Sequence, residues 1–288
     1  MRKPLVLILG GSGNLGHSLK RVTRAINEYD FYFPSRATLP LQDISQVRKF
    51  LEDLKPLAII NAAAWTDVEN AETNGDDARR LNATLPGVIA SWCSGQTAQF
   101  IHFSTDYVFD GLKREPYIES DRKSPISIYG SSKSEGEENI LATCNPLSTI
   151  VRTSGLYGFT PNNFVMKVLR KAVSGENLDV VVDQKMTPTN CDDLAIFALS
   201  LLEKTELPKV IHYSNIGSTN WNEVAREVYK FVEQDPEKVK RIESNDYPSR
   251  AKRPRQSRLD TLYPNLTEGS NHSWVDSLER FLKEVVYG

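Results

Sequence analysis

Residues 5–16 have the sequence LVLILGGSGNLG, and this stretch decides the fold. Five consecutive apolar residues are typical of a buried parallel strand. Gly10, Gly13 and Gly16 then recur at every third position, and apolar residues continue at helical intervals at positions 15, 19, 22 and 26. This order of strand, glycine turn and helix suits pyrophosphate binding, because residues without Cβ atoms let an anion approach the N–H groups at the helix start. The alternative is a glycine turn with a purely structural role.

The end of the second predicted strand bears on the choice of cofactor. Folds that bind dinucleotides read the adenosine ribose about twenty residues beyond the glycines. Here residues 31–34 lead into Ser35 and Arg36. A hydroxyl beside a guanidinium suits a 2′-phosphate, whereas a carboxylate would suit a 2′-hydroxyl. The sequence therefore predicts NADPH in preference to NADH, which stays an alternative, as does an ordinary surface charge at Arg36.

Composition and charge restrict the class of protein. The chain of 288 residues is 40% hydrophobic and 25% charged, as expected of a globular protein with a large core. Its net charge of -2 gives no reason to expect nucleic acid or an anionic membrane as a partner. Three widely spaced cysteines and four histidines without paired spacing predict neither disulfides nor a metal site. The first apolar run is too short for a signal peptide or a membrane span, so we expect a cytoplasmic protein.

The first half of the chain alternates short apolar strands with helical stretches. We expect strands at 57–60, 100–103 and 148–151, and helices at 47–54, 76–93 and 127–141. This alternation predicts an α/β fold, a Rossmann-type doubly wound parallel sheet, with the NADP(H)-binding domain at residues 1–155. Residues 156–288 are expected to form a smaller, mainly helical substrate lobe, interleaved with the first domain. Two of its helices have apolar faces, which predict core packing, and begin at the capping residues Asn220 and Ser273.

Tyr129 and Lys133 are four residues apart in a predicted helix, so both side chains lie on one face. A neighbouring ammonium lowers the pKa of a phenol, and the pair could then move a proton to or from a carbonyl group. The alternative is a chance pair on a surface helix.

Ser104 and Thr105 end the fourth predicted strand, where ligands of such sheets bind. Either hydroxyl could hold a substrate carbonyl against Tyr129, or could simply cap the strand end.

Five residues within 250–258 form the one cationic cluster of the sequence: Arg250, Lys252, Arg253, Arg255 and Arg258. They could form a solvated loop, or they could grip an anionic group in a pocket.

Several ordered motifs together resemble the dTDP-4-dehydrorhamnose reductases, a family of extended short-chain dehydrogenase/reductases. The resemblance covers nearly the whole chain. The matching stretches are residues 10–16, 61–66, 104–111, 129–133, 152–154, 162–165, 183–189 and 252–259. Members of this family reduce the keto group of a deoxysugar nucleotide with a nicotinamide cofactor, and homodimers are common among them.

The resemblance implies roles for individual residues. The catalytic set would be Thr105, Tyr129 and Lys133. Cofactor contacts would come from Tyr129, Lys133, Gly10, Gly13, Asn14, Leu15, Gly16, Ser35, Arg36, Asp43, Ile44, Ala62, Ala63 and Ala64. The sugar-nucleotide substrate would be bound by Thr66, Ser104, Asp106, Tyr107, Asn163 and Arg253.

One position departs from the family pattern. A tryptophan usually follows the Arg-Thr-Ser motif, where it packs near the sugar, but this chain has Gly155. Tyr157 could supply an aromatic face instead, although core packing is the expected role for it. Two alternatives therefore stay open: a reductase or epimerase of another sugar nucleotide, and a cofactor-binding regulatory protein similar to the regulatory subunit of methionine adenosyltransferase. The complete set of Thr105, Tyr129 and Lys133 favours an enzyme.

Overall fold

The structure is a computed structural model and describes residues 3–288. Its strands are β1 Leu5–Leu9, β2 Asp30–Tyr32, β3 Ala58–Asn61, β4 Gln99–Thr105, β5 Ser148–Thr153, β6 Leu156–Tyr157, β7 Leu178–Val181, β8 Lys185–Met186, β9 Thr189–Asn190, β10 Val210–His212, β11 Thr219–Asn220 and β12 Val239–Ile242. Its α-helices are α1 Asn14–Val22, α2 Ile44–Leu54, α3 Val68–Ala71, α4 Gly75–Arg79, α5 Leu85–Gln96, α6 Ile128–Leu141, α7 Phe164–Val173, α8 Cys191–Ser200, α9 Trp221–Phe231, α10 Pro264–Thr267 and α11 Trp274–Tyr287.

Six parallel strands form the central sheet in the order β10-β5-β4-β3-β1-β2. Alternate residues of β1 enter two different cores, as the period of a strand requires. Val6 and Ile8 pack with α1 and α8 on one face, whereas Leu7 and Leu9 pack with α2 and α5 on the other. The sheet is therefore buried on both faces, which explains its continuous apolar strands and confirms the predicted doubly wound α/β fold.

The predicted helix at 76–93 lies within a continuous helical stretch, residues 75–96, but the prediction did not include the π-helical turn inside it. The structure has α4, then a π-helical turn at Arg80–Thr84, then α5. Pro86 explains this irregular turn, because it has no N–H to donate to the carbonyl of Asn82 four residues earlier. Helix α6 crosses at this point, where a Cβ atom on Gly136 would lie 2.0 Å from the Asn82 carbonyl oxygen.

The second half of the chain contributes to both parts of the molecule. Strand β10 lies at the edge of the central sheet, and α8 packs against α1. A separate core contains α7, α9 and α11. The side chains of Asn220 and Ser273 cap α9 and α11, as their sequence positions predicted. The division into domains at residue 155 stays a prediction.

Candidate active site

The carboxyl ends of β1 and β3 bring the glycine loop against the predicted cofactor path. Gly10 has φ +83°, and a Cβ atom there would lie 2.5 Å from both the carbonyl carbon of Ala62 and the nitrogen of Ala63. A Cβ atom on Gly16 would lie 2.1 Å from the Gly10 oxygen. Glycine is therefore required at both positions for the helix and the two strand ends to pack this closely.

The start of α1 fits a pyrophosphate. Gly13 precedes this nine-residue helix without a side-chain cap, and the first turn contains no acidic residue. A Cβ atom on Gly13 would have one neighbour within 4 Å, the Gly10 oxygen at 3.4 Å, so the loop leaves space above it. Asn14 accepts a hydrogen bond from Thr160 at 3.0 Å. The Leu15 side chain is buried in the core, so only its backbone could contact a cofactor.

The residues predicted to bind the adenosine part of the cofactor lie on the turns after β2. Ser35 accepts the Thr38 N–H at 3.1 Å, and Arg36 is exposed, with no ion pair among residues 3–288. Asp43 caps α2 beside the half-buried Ile44. Hydrogen bonds from the Ser45 hydroxyl and from Gln46 lower the pKa of Asp43. Arg36 is therefore available for a phosphate, whereas the Asp43 carboxylate already has partners within its own helix.

Helix α6 carries the predicted catalytic pair. Ser127 caps the helix by accepting the Gly130 N–H at 3.1 Å. Lys133 is buried, and its Nζ donates to the Phe103 carbonyl at 2.6 Å and lies 3.1 Å from Nε2 of His102. Burial lowers the pKa of Lys133 to about 8, so the ammonium still predominates at neutral pH but gives up its proton more easily than an exposed lysine does.

Tyr129 does not have the lowered pKa that the helix spacing suggested. Burial raises the pKa of its phenol to about 12, and the Thr105 side chain at the phenol opposes this rise. Lys133 does not offset it, because its Nζ is directed at β4 instead. The phenol is therefore fully protonated at neutral pH, which is the form required of a proton donor.

Polar groups surround Tyr129 at the end of β4. Thr105 Oγ1 donates to Asp106 at 3.0 Å, and the ring of Tyr107 meets that of Tyr129 edge-on, with centroids 5.6 Å apart. Asp106 is 3% exposed, and this burial raises the pKa of its carboxyl to about 6 against the hydrogen bonds from Ser257 and Thr105. The structure thus brings four predicted site residues together: Thr105, Asp106, Tyr107 and Tyr129.

Ser104 has a different function from the predicted one. Successive residues of a strand point to opposite faces, so Ser104 and Thr105 cannot both face the site. The Ser104 hydroxyl donates to Glu137 at 2.6 Å inside the core. Glu137 is fully buried and accepts two further hydrogen bonds from Arg152, at 2.9 and 2.7 Å. Ser104 therefore supports a buried ion pair, and its contact with a substrate is not supported.

A long-range contact sets the position of Arg253. Its Nη2 donates to Glu69 at 2.6 Å, and Glu69 also accepts from the Ser249 hydroxyl at 2.6 Å and the Arg250 N–H at 2.7 Å. These hydrogen bonds lower the pKa of Glu69 although burial opposes them. Glu69 follows β3 on α3, so it ties the loop at 249–253 to the carboxyl edge of the sheet.

A cavity of about 860 Å³ lies between the loop that follows β4, at residues 110–112 and 126, and the second half of the chain. Three members of the cationic cluster line it, which are Lys252, Arg253 and Arg255. Phe164 and Trp221 line it as well, with ring centroids 4.5 Å apart. Trp221 was expected only to pack in the core. A cavity with cationic and aromatic walls suits an anionic ligand that carries a ring.

Three further positions complete the comparison with the sequence predictions. Asn163 caps α7 and donates to the carbonyls of Gly158 and Thr160 at 2.7 and 2.6 Å, so its amide is engaged in structure. Thr66 is exposed on the loop after β3. Gly155 has φ +56°, and a Cβ atom there would lie 3.0 Å from Pro188, so the backbone leaves little space for a side chain.

Tyr157 lies in the core, as expected, with its ring edge-on to that of Phe281 at a centroid distance of 5.3 Å. It therefore supplies no aromatic wall for the substrate.

Sequence reasoning missed three buried or half-buried charged and polar residues of this region: His102, Glu69 and Glu137. His102 stands two residues before Ser104 in an apolar strand, and this isolated polar residue was the available signal. Glu69 and Glu137 carried none, because their partners are distant in sequence.

A family model described as the RmlD substrate binding domain matches residues 3–287. The chain belongs to this family. It is 35% identical to the dTDP-4-dehydrorhamnose reductase of Sinorhizobium fredii, over 96% of this chain and 95% of that protein. It is also 35% identical to the dTDP-4-keto-6-deoxy-D-glucose reductase of Streptomyces niveus, over 88% of this chain and 87% of that protein. These matches confirm the family that the ordered motifs resemble.

A solved structure from the same family agrees with the fold. The dTDP-4-dehydrorhamnose reductase of Bacillus anthracis, crystallised in complex with NADP, is 34% identical, with a TM-score of 0.90 over 98% of this chain and 99% of that one. Within residues 3–288, no helix combines the length and the apolar character needed to cross a bilayer.

Proposed function

We propose that this protein reduces the 4-keto group of a dTDP-4-keto-6-deoxyhexose with NADPH, converting dTDP-4-dehydrorhamnose to dTDP-L-rhamnose. The observation that carries this proposal is the Tyr129 phenol, which is kept protonated beside Thr105 at the carboxyl edge of the sheet. Membership of the RmlD family and the relatives named as reductases support it.

The chain supplies proton transfer and orientation. A bound nicotinamide supplies the hydride. Tyr129 donates its proton to the carbonyl oxygen as negative charge develops there, and the Thr105 hydroxyl orients that oxygen by a hydrogen bond. We assign Lys133 an assisting role, one helical turn from Tyr129 on the same face of α6. Asp106 and Tyr107 surround this pair and are proposed to contact the sugar.

The cofactor would lie across the ends of β1 and β3. The backbone from Gly10 to Gly16 would bind the pyrophosphate, and Ala62, Ala63 and Ala64 would line its path, because small side chains permit close approach. Arg36, exposed and without an ion pair among residues 3–288, is proposed to bind the 2′-phosphate with Ser35. This arrangement supports NADPH over NADH.

The cavity would receive the nucleotide part of the substrate. Lys252, Arg253 and Arg255 are suited to a diphosphate, since Lys and Arg side chains form charge-assisted hydrogen bonds with phosphate oxygens. The charges of Arg253 and Glu69 both act on the pKa of Tyr107, which supports a position of Arg253 between the cavity and the catalytic groups. We propose that it bridges the two regions. The homodimer and the cytoplasmic location stay predictions.

The test is a reduction assay. dTDP-4-keto-6-deoxy-L-mannose is generated in situ, the protein is added with NADPH or NADH, and cofactor oxidation is followed by absorbance. We expect oxidation with NADPH at the higher rate. Tyr129→Phe should lower turnover by about three orders of magnitude while cofactor binding is retained, because only the proton donor is lost. The matched control is Tyr263→Phe, which removes a phenol of a partly exposed residue and should leave turnover unchanged. Undiminished turnover in Tyr129→Phe would exclude Tyr129 as the donor.

Reduction of another dTDP-linked keto sugar is the second candidate. The relative from Streptomyces niveus is named for a different sugar, and Gly155 leaves no aromatic side chain at the position where the family usually has one. NADPH binding without oxidation in the first assay, followed by turnover with dTDP-4-keto-6-deoxy-D-glucose, would favour this candidate. Binding without turnover of either sugar would favour a regulatory protein.

A further inference from the structure

Residues 244–255 form one wall of the cavity, and few contacts fix their position. Eight of these twelve residues line the cavity. Residues 245–250 are all exposed, and within residues 3–288 no backbone–backbone hydrogen bond involves residues 249–253. A segment with an exposed backbone and little internal hydrogen bonding opens at a low cost in free energy. Side chains from other elements must therefore hold this wall in place.

Two carboxylates hold the wall, one near its start and one near its middle. Asp183 accepts the Ser244 N–H at 3.0 Å and the Ser244 hydroxyl at 2.5 Å. Glu69 accepts four hydrogen bonds from residues 249–253, at distances from 2.6 to 3.4 Å. Asp183 belongs to the same half of the chain as the wall, whereas Glu69 lies on α3, beyond the carboxyl end of β3. Glu69 is therefore the carboxylate that ties the middle of the wall to the central sheet.

The turn of chain that contains Glu69 also contacts the helix that carries Tyr129. Glu72 follows Glu69 by three residues and accepts the Ile128 N–H at 2.9 Å. Ile128 is the first residue of α6 and directly precedes Tyr129. One carboxylate thus bonds to the cavity wall, and the other bonds to the start of α6. This arrangement fixes the position of the wall relative to Tyr129.

The guanidinium of Arg253 is only partly used by Glu69. Glu69 takes one of its five N–H donors, on Nη2. Nε of Arg253 is buried and has no hydrogen-bond partner among residues 3–288. Buried donors are nearly always paired, so this N–H calls for an acceptor from outside the chain. The phosphate oxygens of a nucleoside diphosphate are suited to it, because they form charge-assisted, two-point hydrogen bonds with guanidinium groups.

We propose that Glu69 is a positioning residue: the hydrogen bonds that it accepts from residues 249–253 set the orientation in which Arg253 binds the diphosphate of the substrate. This inference rests on the proposed function, which places a sugar nucleotide in the cavity. Glu69 lowers the cost of binding, because a wall and a guanidinium that are already held in place lose little freedom when the diphosphate binds. The opposite arrangement, in which Glu69 competes with the diphosphate for Arg253, predicts the opposite change in affinity.

Limited proteolysis tests whether Glu69 holds the wall. Trypsin can cut after Arg250 and after Lys252, both within the wall. Glu69→Gln keeps the shape of the side chain but removes its charge and turns an NH₂ group towards other donors. We expect cleavage at these two bonds to accelerate about tenfold, because hydrogen bonds to a charged acceptor are lost and cleavage follows the population of the open form. Mass spectrometry identifies the bonds that are cut, and cleavage at the wild-type rate would overturn the proposal.

Binding of dTDP, measured by calorimetry in the presence of NADP⁺, tests the orientation of Arg253. We expect Glu69→Gln to raise the Kd for dTDP by about five- to tenfold. In the reduction assay KM should rise by a similar factor, whereas kcat should change by less than about threefold, since only substrate binding is affected. A lower Kd in Glu69→Gln would show competition for Arg253 and would contradict the proposal.

A double-mutant cycle tests whether Glu69 acts through Arg253. In an Arg253→Gln background, Glu69→Gln should alter the Kd for dTDP by less than about twofold, because the group that it positions is already absent. Additive effects of the two substitutions would contradict a positioning role. Unchanged binding of NADP⁺ in each variant shows that the fold is intact.

The matched control for proteolysis is Glu72→Gln, which changes a second half-buried carboxylate three residues away. Within residues 3–288 the Glu72 side chain bonds to Ile128 and not to the wall, and an amide oxygen can still accept that N–H. Trypsin should therefore cut the wall of this variant at the wild-type rate. Equal acceleration in the two variants would show a general loosening of α3 and would contradict the specific role of Glu69.

The proposed function and this inference fail in different ways. Binding of dTDP by the wild type without turnover would refute the proposed reduction and leave the role of Glu69 intact. Turnover by the wild type, with an unchanged Kd in Glu69→Gln, would refute the role of Glu69 alone. A wild type that does not bind dTDP would refute the nucleotide site and, with it, this inference.

Discussion

Lys133 and Glu137 lie one turn apart on α6, are both buried, and have opposite surroundings. Glu137 has charged partners on two sides, Arg152 in a two-point contact and Lys123 at 3.3 Å. These contacts hold its pKa below the usual range even though burial opposes them. Within the part of the chain that the structure describes, the side chain of Lys133 contacts only a backbone carbonyl and the neutral ring of His102, and burial lowers its pKa to about 8.

The difference separates a structural group from a functional one. A buried carboxylate with a complete set of charged partners stays ionised, as Glu137 does. Its contact with Arg152 fixes the packing of α6 on β5. A buried charge without a carboxylate partner is kept at a cost in stability, and such groups concentrate at functional sites. The same helix therefore contributes a structural ion pair at Glu137 and the face that carries the proposed catalytic residues Tyr129 and Lys133.

The largest expected change comes from breaking this ion pair. Glu137→Gln leaves the Arg152 guanidinium, with a side chain only 4% exposed, without a counter-charge. We expect a loss of about 3–5 kcal/mol in the free energy of unfolding, measured by urea denaturation. Glu138→Gln is the control, because that exposed carboxylate contacts Lys123 at 3.3 Å and should change stability by less than about 0.5 kcal/mol. Equal effects in the two variants would contradict the comparison.

Replacement of Lys133 is expected to stabilise the protein, in contrast to replacement of Glu137. Below a pH near 8 the native protein bears the full cost of a lysine pKa lowered from 10.5, and this cost disappears as the pH rises towards 10.5. Lys133→Met should therefore raise the free energy of unfolding by about 1–3 kcal/mol near pH 6.5, after subtraction of the lost hydrogen bonds.

The pH dependence is the decisive part of this prediction. The gain should shrink by about 2 kcal/mol between roughly pH 6.5 and 9.5, because the lysine of the native protein loses its proton above pH 8 while that of the unfolded chain keeps it up to about 10.5. Urea denaturation at both pH values measures it. A gain that is independent of pH would show that shape and not charge determines the effect of the methionine.

Sequence predicted the features of the site that depend on local periodicity. The glycine spacing gave the strand, turn and helix, and the four-residue interval placed Tyr129 and Lys133 on one face. Sequence reasoning failed where the partner of a residue is remote. Arg253 contacts Glu69, which is 184 residues away, and Lys133 contacts His102 on β4. The choice between Ser104 and Thr105 also depends on which face of β4 is covered by α6, and alternation alone does not reveal this.

The smallest expected change is at Asp106. It tests whether the fold disfavours the charged form of this residue, as it does for Lys133, or stabilises it, as it does for Glu137. Among residues 3–288, Asp106 has hydroxyl partners but no cation bonded to it, and burial raises its pKa from 3.8 to about 6. The folded state then holds this proton more tightly than the unfolded state, so the carboxyl group costs stability above pH 6 and none well below pH 3.8. Asp106→Asn should thus raise the free energy of unfolding by about 1–3 kcal/mol near pH 8.

That gain should be about 1 kcal/mol smaller near pH 5, where the wild-type carboxyl is partly protonated. Asp76→Asn, which removes a fully exposed carboxylate, serves as the control and should change stability by less than about 0.5 kcal/mol at either pH. A gain that is larger at the lower pH would reverse the expected pH dependence. Asp106 would then resemble Glu137, as a carboxylate whose charged form the fold stabilises. The expected sign instead makes Asp106 a second costly group within reach of Tyr129, and its retention would then be explained by contact with the sugar.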